Sequence, residues 1–429
     1  MALRYRWFVV VLLFTVTVIN YIDRSAIAFA VHQIQQEFSL GPSRTGLILG
    51  AFGIGYVIST LFGGIAVDRF GAKTAYAFSV LLWGVAIGWT GAATGFVMLY
   101  SARIALGLAE GPSFPTTTSV VTRWLPPGER ATALGGALVA VPIALAIGAP
   151  LVSWLIGAFD WRAMFYVLAV ASLLWVPFWL YFYANDPAHS SHISKSEADM
   201  IARSKAAEPA ETGPSPPPGH VWKVLLTTPT LWANYWAYFV FGYFLFFFMT
   251  WMPEYLRKSY DLDLSKVGMI SFLPWAVSAV LLLAFGRWSD AVLARTKSLR
   301  KARSYQIAGT QLVAALAIVP IVLAHNLTVA VIGLTVAVGA AMAANAAYYA
   351  VISDLVPRFA GTAMGVMTIF FAASGFLAPV ITGYALELTG NFKPAFWLIA
   401  VLAASSVVGV LLFHHPDREH QRIEALPET

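Results

Sequence analysis

The stretch GIAVDRFGAK at residues 64–73 joins two apolar segments and decides how the chain is organised. A shorter echo, GRWSD at residues 286–290, follows an apolar segment of the second half and is trailed by a cluster of basic residues. The repetition predicts two halves of the same build in parallel orientation. Such a repeat is typical of membrane transporters, which bind substrate near the midplane between their halves.

The composition places the chain in a lipid bilayer. Of its 429 residues, 59% are hydrophobic and 11% charged, whereas a soluble protein carries about 25% charged residues. The mean hydropathy of +0.72 leaves more apolar surface than one core can bury, so much of it must face lipid. The first apolar run, from Trp7, is not followed by a small-residue cleavage site and is read as a span, not a signal peptide. The chain has no cysteine, which excludes disulfide and thiol chemistry.

Apolar stretches of about 20 residues, long enough to cross a bilayer, recur twelve times. We predict an all-α polytopic membrane protein with twelve transmembrane helices in two six-helix bundles. The predicted spans are 7–30, 43–66, 75–93, 96–120, 131–157, 160–184, 229–256, 265–288, 305–324, 327–352, 361–387 and 391–413. The predicted domains are an N-terminal bundle at 1–184, a linker at 185–228, a C-terminal bundle at 229–413 and a tail at 414–429. Within the linker, Ser194 to Lys205 suit a short amphipathic helix, whereas the proline-rich run from Pro214 does not suit a buried one.

The basic residues predict the orientation. Lys and Arg are concentrated in one set of alternating loops, and such loops face the cytoplasm. Both termini and the linker are therefore expected to be cytoplasmic. The net charge is +6. Because the basic residues recur at regular intervals along the chain, they fit membrane topology better than nucleic-acid binding.

Three further segments carry a family resemblance. They are NYIDR at residues 20–24, RIALGLAEGPSFP at 103–115 and TWMPEYL at 250–256. With the stretch at 64–73, they make the chain similar to the major facilitator superfamily and, within it, to the anion:cation symporters. That family includes sugar-acid permeases and sialin-type transporters. The resemblance implies a transporter in the inner (plasma) membrane.

Four ionisable residues lie inside predicted spans of the N-terminal half: Asp23, Arg24, Arg103 and Glu110. Each costs at least about 2.5–3.5 kcal/mol on insertion scales, so each is a functional candidate. Arg103 and Glu110 are seven residues apart and share a helix face, whereas Asp23 and Arg24 point about 100° apart. We expect Asp23 to pair with Arg103, which leaves Arg24 free for substrate and Glu110 without a basic partner. Since two acids and two bases sum to zero, an entering anion requires a proton.

The structural alternative is a buried ion-pair network that only locks the helices together. The resemblance favours function, because it implies that Asp23 and Glu110, with Arg103, couple protons and that Arg24 holds the substrate carboxylate. A guanidinium suits that task because it offers two parallel hydrogen bonds. The resemblance also places Tyr56, and similarly Tyr21, at the substrate. For each tyrosine, packing at a helix surface is an equal alternative.

The second half offers polar candidates but no ionisable residue in the middle of a span. The substrate candidates there are Tyr243, Asn345 and Ser374. The segment 370–375 lacks the asparagines of sugar-acid permeases, and Phe246 replaces a common family tyrosine. These departures favour a less hydroxylated carboxylate. In the loops, the resemblance implies gating by Asp68, Arg69 and Asp290, although a charged turn is usually only solvated.

We expect a monomeric, proton-coupled symporter that imports a small organic carboxylate by rocking residues 1–184 against 229–413. Protons are its coupling ion, and no metal, other cofactor or nucleic-acid partner is expected. The alternatives are a proton-driven exporter and a non-transporting nutrient sensor. The exporter motif is only partial at Gly148 to Ser153. A membrane enzyme is disfavoured, since no span supplies a nucleophile with its base.

Overall fold

The computed structural model describes residues 4–207 and 217–424, and every regular element within them is helical. Residues 208–216 of the predicted linker, which include the start of its proline-rich run, and the last five residues of the predicted tail lie outside the described part. The helices of the first part are α1 (Tyr5–Phe38), α2 (Pro42–Gly91), α3 (Phe96–Glu110), α4 (Ser113–Trp124), α5 (Pro127–Ala158), α6 (Trp161–Phe182) and α7 (Lys195–Ala206).

The remaining helices follow the linker. They are α8 (Pro218–Thr227), α9 (Pro229–Tyr260), α10 (Leu264–Thr296), α11 (Tyr305–Leu323), α12 (Leu327–Ala343), α13 (Asn345–Leu355), α14 (Ala360–Thr389), α15 (Lys393–Phe413) and α16 (Pro416–Glu424). Short 3₁₀ turns occupy Pro187–His189 and Pro357–Phe359, and a π-helical turn occupies Arg300–Ser304. Several helices begin at residues whose side chains accept from their own first turn. Asp160 accepts from the Ala163 amide at 2.7 Å and Asn326 from the Val329 amide at 3.2 Å, as expected of N-caps.

Ten helical segments in the described residues are long and apolar enough to cross a membrane. Gly71, where φ is 77°, is a non-helical kink that divides α2 into two helices, and it lies between the predicted spans 43–66 and 75–93. The predicted span 96–120 is divided into α3 and α4 around Gly111 and Pro112. The count of twelve spans stays a prediction.

The chain forms two compact units. Of the described residues, the first unit contains 4–40 and 51–207, and the second contains 41–50 and 217–424. In the first unit α1 packs mainly on α5 and α6. In the second unit α9 packs against α14 and α15, and its apolar window is 89% buried, against 39% in the span that contains α14. α9 therefore forms the centre of its unit, which explains why its phenylalanine-rich run contacts neighbouring helices.

Glycines bring α2 and α3 into close contact in the first unit. A Cβ on Gly107 would lie 2.1 Å from the Phe52 carbonyl oxygen, and one on Gly55 would lie 2.1 Å from the Ile104 carbonyl oxygen. Neither position admits a larger residue while the helices stay where they are, since small residues are what allow membrane helices to approach this closely. The glycines of the 103–115 segment therefore set the distance between the two helices.

We predict that Gly107→Ala lowers the free energy of unfolding by about 1–3 kcal/mol or more, because the helices must separate to admit the methyl group. Thermal unfolding of the purified protein in detergent measures the change. Gly136→Ala is the matched control, since nothing lies within 4 Å of a Cβ there, and it should unfold no earlier than the wild type. Equal midpoints for the two variants would contradict the close approach.

A cluster of charged groups, here called the linker clasp, ties α7 to the bundle. Its members are Arg6, Glu129 and Glu197. The Arg6 side chain is 1% exposed and donates to Glu129 at 2.7 Å and to Glu197 at 2.9 Å. Glu197 also accepts from the backbone amides of Tyr5 and Arg6. These amides lie at the start of α1, where the helix itself offers them no acceptor. The amphipathic helix predicted at Ser194 to Lys205 thus exists and is docked on the first helix.

Glu197→Ala is expected to lower the free energy of unfolding by about 1–3 kcal/mol, because it leaves buried donors of Arg6 and of the α1 terminus without an acceptor. The measurement is again thermal unfolding in detergent. Asp199→Ala, an exposed acid on the same helix, serves as control and should change little. If both variants unfold together, α7 contributes no stability through the linker clasp.

Candidate functional site

Two of the four predicted charges form a buried ion pair. Arg24 of α1 donates to the same oxygen of Glu110, Oε2, from Nη2 at 2.7 Å and from Nε at 3.0 Å. The two side chains are 2% and 0% exposed. Asn20, one turn before Arg24, accepts from Nη2 at 3.1 Å. Arg24 Nη1 and Glu110 Oε1 are buried without a hydrogen-bond partner, so the pair retains unused donor and acceptor capacity.

Aromatic rings enclose the Arg24 guanidinium. Its central carbon lies 4.5 Å from the ring centroid of Tyr21, 4.4 Å from that of Phe52 and 5.1 Å from that of Tyr56. Such contacts stabilise a cation electrostatically. The predicted residues Tyr21 and Tyr56 are therefore beside Arg24, and Phe52 is an addition. Phe52 and Tyr56 reach this position because the glycines of α2 and α3 let the two helices approach.

Asp23 does not pair with Arg103, and this expectation was wrong. The carboxylate instead accepts from the Ser172 hydroxyl of α6 at 2.6 Å, and both residues are 0% exposed. The reason is the rotation of α1. Arg24 faces Glu110 on α3, so its neighbour, turned by about 100°, faces α6. The expectation that Glu110 has no basic partner was wrong for the same reason.

Arg103 lies two helical turns from Glu110, a rise of about 10 Å along α3. Its side chain is 1% exposed and donates weakly to the Arg24 carbonyl oxygen at 3.4 Å. Its Nε and Nη1 are buried without partners, and its guanidinium carbon is 5.4 Å from the Phe52 centroid. Phe52 thus contacts both Arg24 and Arg103. Arg103 is positioned to influence the site through charge and through the backbone of α1.

The three predicted substrate residues of the second unit differ in their surroundings. Ser374 donates to the carbonyl oxygen of Phe371 in its own helix at 2.6 Å and lies against Gly242, where a Cβ would be 2.2 Å from its hydroxyl. This serine therefore packs α14 against α9. Tyr243 and Asn345 are 2% and 5% exposed, and each has a buried oxygen without a partner.

A buried polar cluster in the second unit contains Gln311, which sequence reasoning missed. Gln311 Nε2 donates to the Tyr348 hydroxyl at 2.9 Å and to the Ala237 carbonyl at 2.8 Å, while its Oε1 has no partner. The hydroxyls of Tyr238 and Tyr349 lie 2.7 Å apart. The signal was an amide side chain inside the apolar stretch of α11.

The predicted gating residues lie in two different environments. Asp290 accepts from Arg303 Nη1 at 2.9 Å, and Arg303 also reaches Asp354 at 3.4 Å. Asp68 and Arg69 are exposed on the turn before Gly71. That turn is fixed from the linker, because the Asn185 side chain accepts from the Lys73 amide at 2.8 Å. Gating by these residues stays a prediction.

His414, just after α15, is buried against the π-helical turn that precedes α11. Its Nδ1 lies 2.6 Å from the Ser304 hydroxyl. Burial, with smaller contributions from His415 and Arg300, lowers the pKa of His414 to about 3, so the ring is neutral at physiological pH. Among the described residues, no group of three or more histidine and acidic side chains is placed to hold a metal ion.

The fold and the charged site together define a membrane transporter of the Major Facilitator Superfamily. The family model matches residues 13–303 and 300–429, and the chain belongs to this family. A bacterial homologue of the human lysosomal transporter Spinster has the same fold, with a TM-score of 0.73 at 18% identity over 99% of this chain and 98% of its own. A D-xylose–proton symporter also has a TM-score of 0.73, at 13% identity over 97% and 99% of the two chains.

Similar proteins of known name are anion transporters, as the sequence resemblance implied. The hexuronate transporter of Bacillus subtilis (strain 168) is 32% identical over 95% of this chain and 94% of its own. The "Probable galactarate/D-glucarate transporter" of the same organism is 31% identical over 96% and 92%. The "Probable sulfoacetate transporter" of Cupriavidus necator is 29% identical over 95% and 95%. The chain is thus a transporter, not an enzyme, and its relatives carry organic anions.

The pairing of Arg24 with Glu110 is testable by a double-mutant cycle. Arg24→Gln and Glu110→Gln each strand a buried charge and are expected to lower the free energy of unfolding by about 3–5 kcal/mol. The double variant leaves two neutral amides, so the cycle should show a coupling energy of about 0.5–3 kcal/mol. Unfolding in detergent measures all four proteins.

The matched control cycle uses Asp23→Asn and Arg103→Gln. No hydrogen bond or ion pair joins those two side chains in the described residues, so their coupling energy should be smaller than that of Arg24 and Glu110. Coupling between Asp23 and Arg103, with additivity between Arg24 and Glu110, would mean that the ion pairs are exchanged relative to this structure.

Proposed function

We propose that this transporter imports a small organic carboxylate together with protons, by alternating access across the plasma membrane. The observation that carries the proposal is the buried ion pair of Arg24 with Glu110. A substrate carboxylate would bind the same guanidinium that Glu110 occupies, because a guanidinium is the side chain best matched to a carboxylate. Substrate and Glu110 therefore compete for one partner.

Protonation resolves this competition. A neutral Glu110 no longer requires Arg24, which becomes available to the substrate. The formal charges of Asp23, Arg24, Arg103 and Glu110 sum to zero when all are ionised, so the proton that enters with a monoanion keeps the site neutral. The mechanism assigns substrate binding to Arg24 with Tyr21 and Tyr56 around it. It assigns proton exchange coupled to substrate to Glu110.

The second unit is proposed to contact the rest of the substrate through its buried polar side chains. Tyr243 and Asn345 have unused oxygen atoms, and Gln311 supplies another beside Tyr348. Unmet polar groups favour ligands that pair with them. Two relatives are named for hydroxylated sugar acids and one for sulfoacetate. The expectation of a less hydroxylated carboxylate therefore stays a prediction. An uptake assay that compares hydroxylated with sparsely hydroxylated acids decides it.

The test is radiolabelled uptake into proteoliposomes, with the membrane potential clamped and an inward gradient of one pH unit. The substrates are hexuronates, glucarate, sulfoacetate and sparsely hydroxylated mono- and dicarboxylates. One pH unit supplies about 1.4 kcal/mol per proton, enough for about tenfold accumulation per coupled proton. We expect one class of acid to accumulate to at least this extent, and accumulation to vanish when the gradient is removed.

Three variants assign the roles. Arg24→Ala should abolish binding and uptake, and Arg24→Lys should retain only a weak activity because an ammonium cannot form the bidentate contact. Glu110→Gln should still exchange substrate but no longer respond to the proton gradient. The matched control is Glu37→Gln, which removes a glutamate paired with Arg162 at 2.7 Å near the end of α1 and should accumulate substrate normally.

Two results would count against the proposal. If no acid accumulates under the gradient, proton-coupled import is wrong, and an exporter or a sensor becomes the better interpretation. If Glu110→Gln accumulates substrate as well as Glu37→Gln does, Glu110 is not the coupled proton site.

A further inference from the structure

Ser172 lies in the middle of α6, inside an apolar membrane-spanning segment, yet it is fully buried against the first helix. Its hydroxyl contacts Asp23 Oδ2 at 2.6 Å. The second oxygen, Oδ1, is buried without a hydrogen-bond partner. A serine in such a helix usually bonds back to its own backbone. Here the hydroxyl donates instead to the Asp23 carboxylate of α1.

Neither Arg24 nor Arg103 compensates Asp23. Arg24 is engaged by Glu110, and Arg103 donates to a backbone carbonyl oxygen. An ionised carboxylate with a single neutral donor is costly in a buried site. A carboxyl group in this position therefore suits a cycle in which a proton is taken up and released, more than it suits a permanent ion pair.

A hydroxyl is the simplest partner for both forms of such a group. Serine donates its proton to an ionised carboxylate and accepts from a protonated one, so the contact persists through the cycle without a change of partner. The contact also fixes the rotation of α1. When Asp23 faces Ser172, its neighbour Arg24 faces Glu110. The α1–α6 contact thus determines the direction in which the substrate arginine points.

We propose that Ser172 is a positioning residue for proton coupling: it holds the Asp23 carboxyl against α6 in both protonation states, separate from Arg103 and from the Arg24–Glu110 pair. The proposal rests on the proposed function and adds a helix that sequence analysis gave no role. The family resemblance already implied that both Asp23 and Glu110 couple protons. Glu110 exchanges its proton in competition with substrate, and Asp23 exchanges its proton against a hydroxyl of α6.

The experiment compares two activities of the full-length protein in proteoliposomes. Counterflow at equal pH reports substrate binding and the movement of the loaded carrier, whereas accumulation under a proton gradient reports coupling. Ser172→Ala is expected to retain counterflow within about twofold and to lose about fivefold to tenfold in accumulation, the change that one lost hydrogen bond produces. Ser172→Thr keeps a hydroxyl and should restore accumulation.

The controls separate positioning from packing. Ser153→Ala removes another buried hydroxyl of the same unit, one without a hydrogen-bond partner, and should behave as the wild type. Asp23→Asn and the double variant with Ser172→Ala should accumulate equally little, since the serine acts only through Asp23. The inference is overturned if Ser172→Ala accumulates like Ser153→Ala. It is also overturned if counterflow falls as far as accumulation and threonine restores neither.

These outcomes are distinct from a failure of the proposed function. If the wild type itself accumulates no acid under a gradient, both proposals fall together. If the wild type accumulates and Asp23→Asn does not, while Ser172→Ala is normal, symport stands and only the role of Ser172 is wrong.

Discussion

The ion pair between Arg24 and Glu110 is the interaction on which the first unit depends. Both side chains are almost completely excluded from solvent, and each is the principal charge partner of the other. A buried pair of this kind adds little net stability, but loss of one member costs about 3–5 kcal/mol, because the other charge is left uncompensated. The pair therefore constrains any state in which Arg24 or Glu110 changes its charge or its partner.

The pair exists because the backbone allows it. Gly55 and Gly107 permit α2 and α3 to touch through their main chains, and this contact places Phe52 and Tyr56 over the Arg24 guanidinium. The same approach brings Glu110, one turn beyond Gly107, to the level of Arg24 on α1. The packing of α2 on α3 therefore determines which side chains surround Arg24. The glycines of the 103–115 segment therefore influence the surroundings of the Arg24–Glu110 pair although they have no side chains of their own to contact it.

Much of this arrangement could be predicted from the sequence, but its pairings could not. Ionisable residues in apolar stretches are conspicuous, so Asp23, Arg24, Arg103 and Glu110 were found, and Glu197 belongs to a helix that periodicity also indicated. Which acid meets which base depends on the rotation and height of helices, and spacing along one helix does not determine these. Ser172 and Gln311 were missed, because a hydroxyl or amide in a membrane helix can always bond to nearby backbone.

On the proposed mechanism, the cost of breaking the pair is also what prevents uncoupled movement. A proton that reached Glu110 alone would leave Arg24 uncompensated, and an anion that reached Arg24 alone would leave Glu110 uncompensated. At about 3–5 kcal/mol, either single event is disfavoured by roughly two to four powers of ten, whereas the two events together preserve neutrality. Coupling then needs no dedicated gate between proton and substrate. It follows from one buried guanidinium that two carboxylates cannot share.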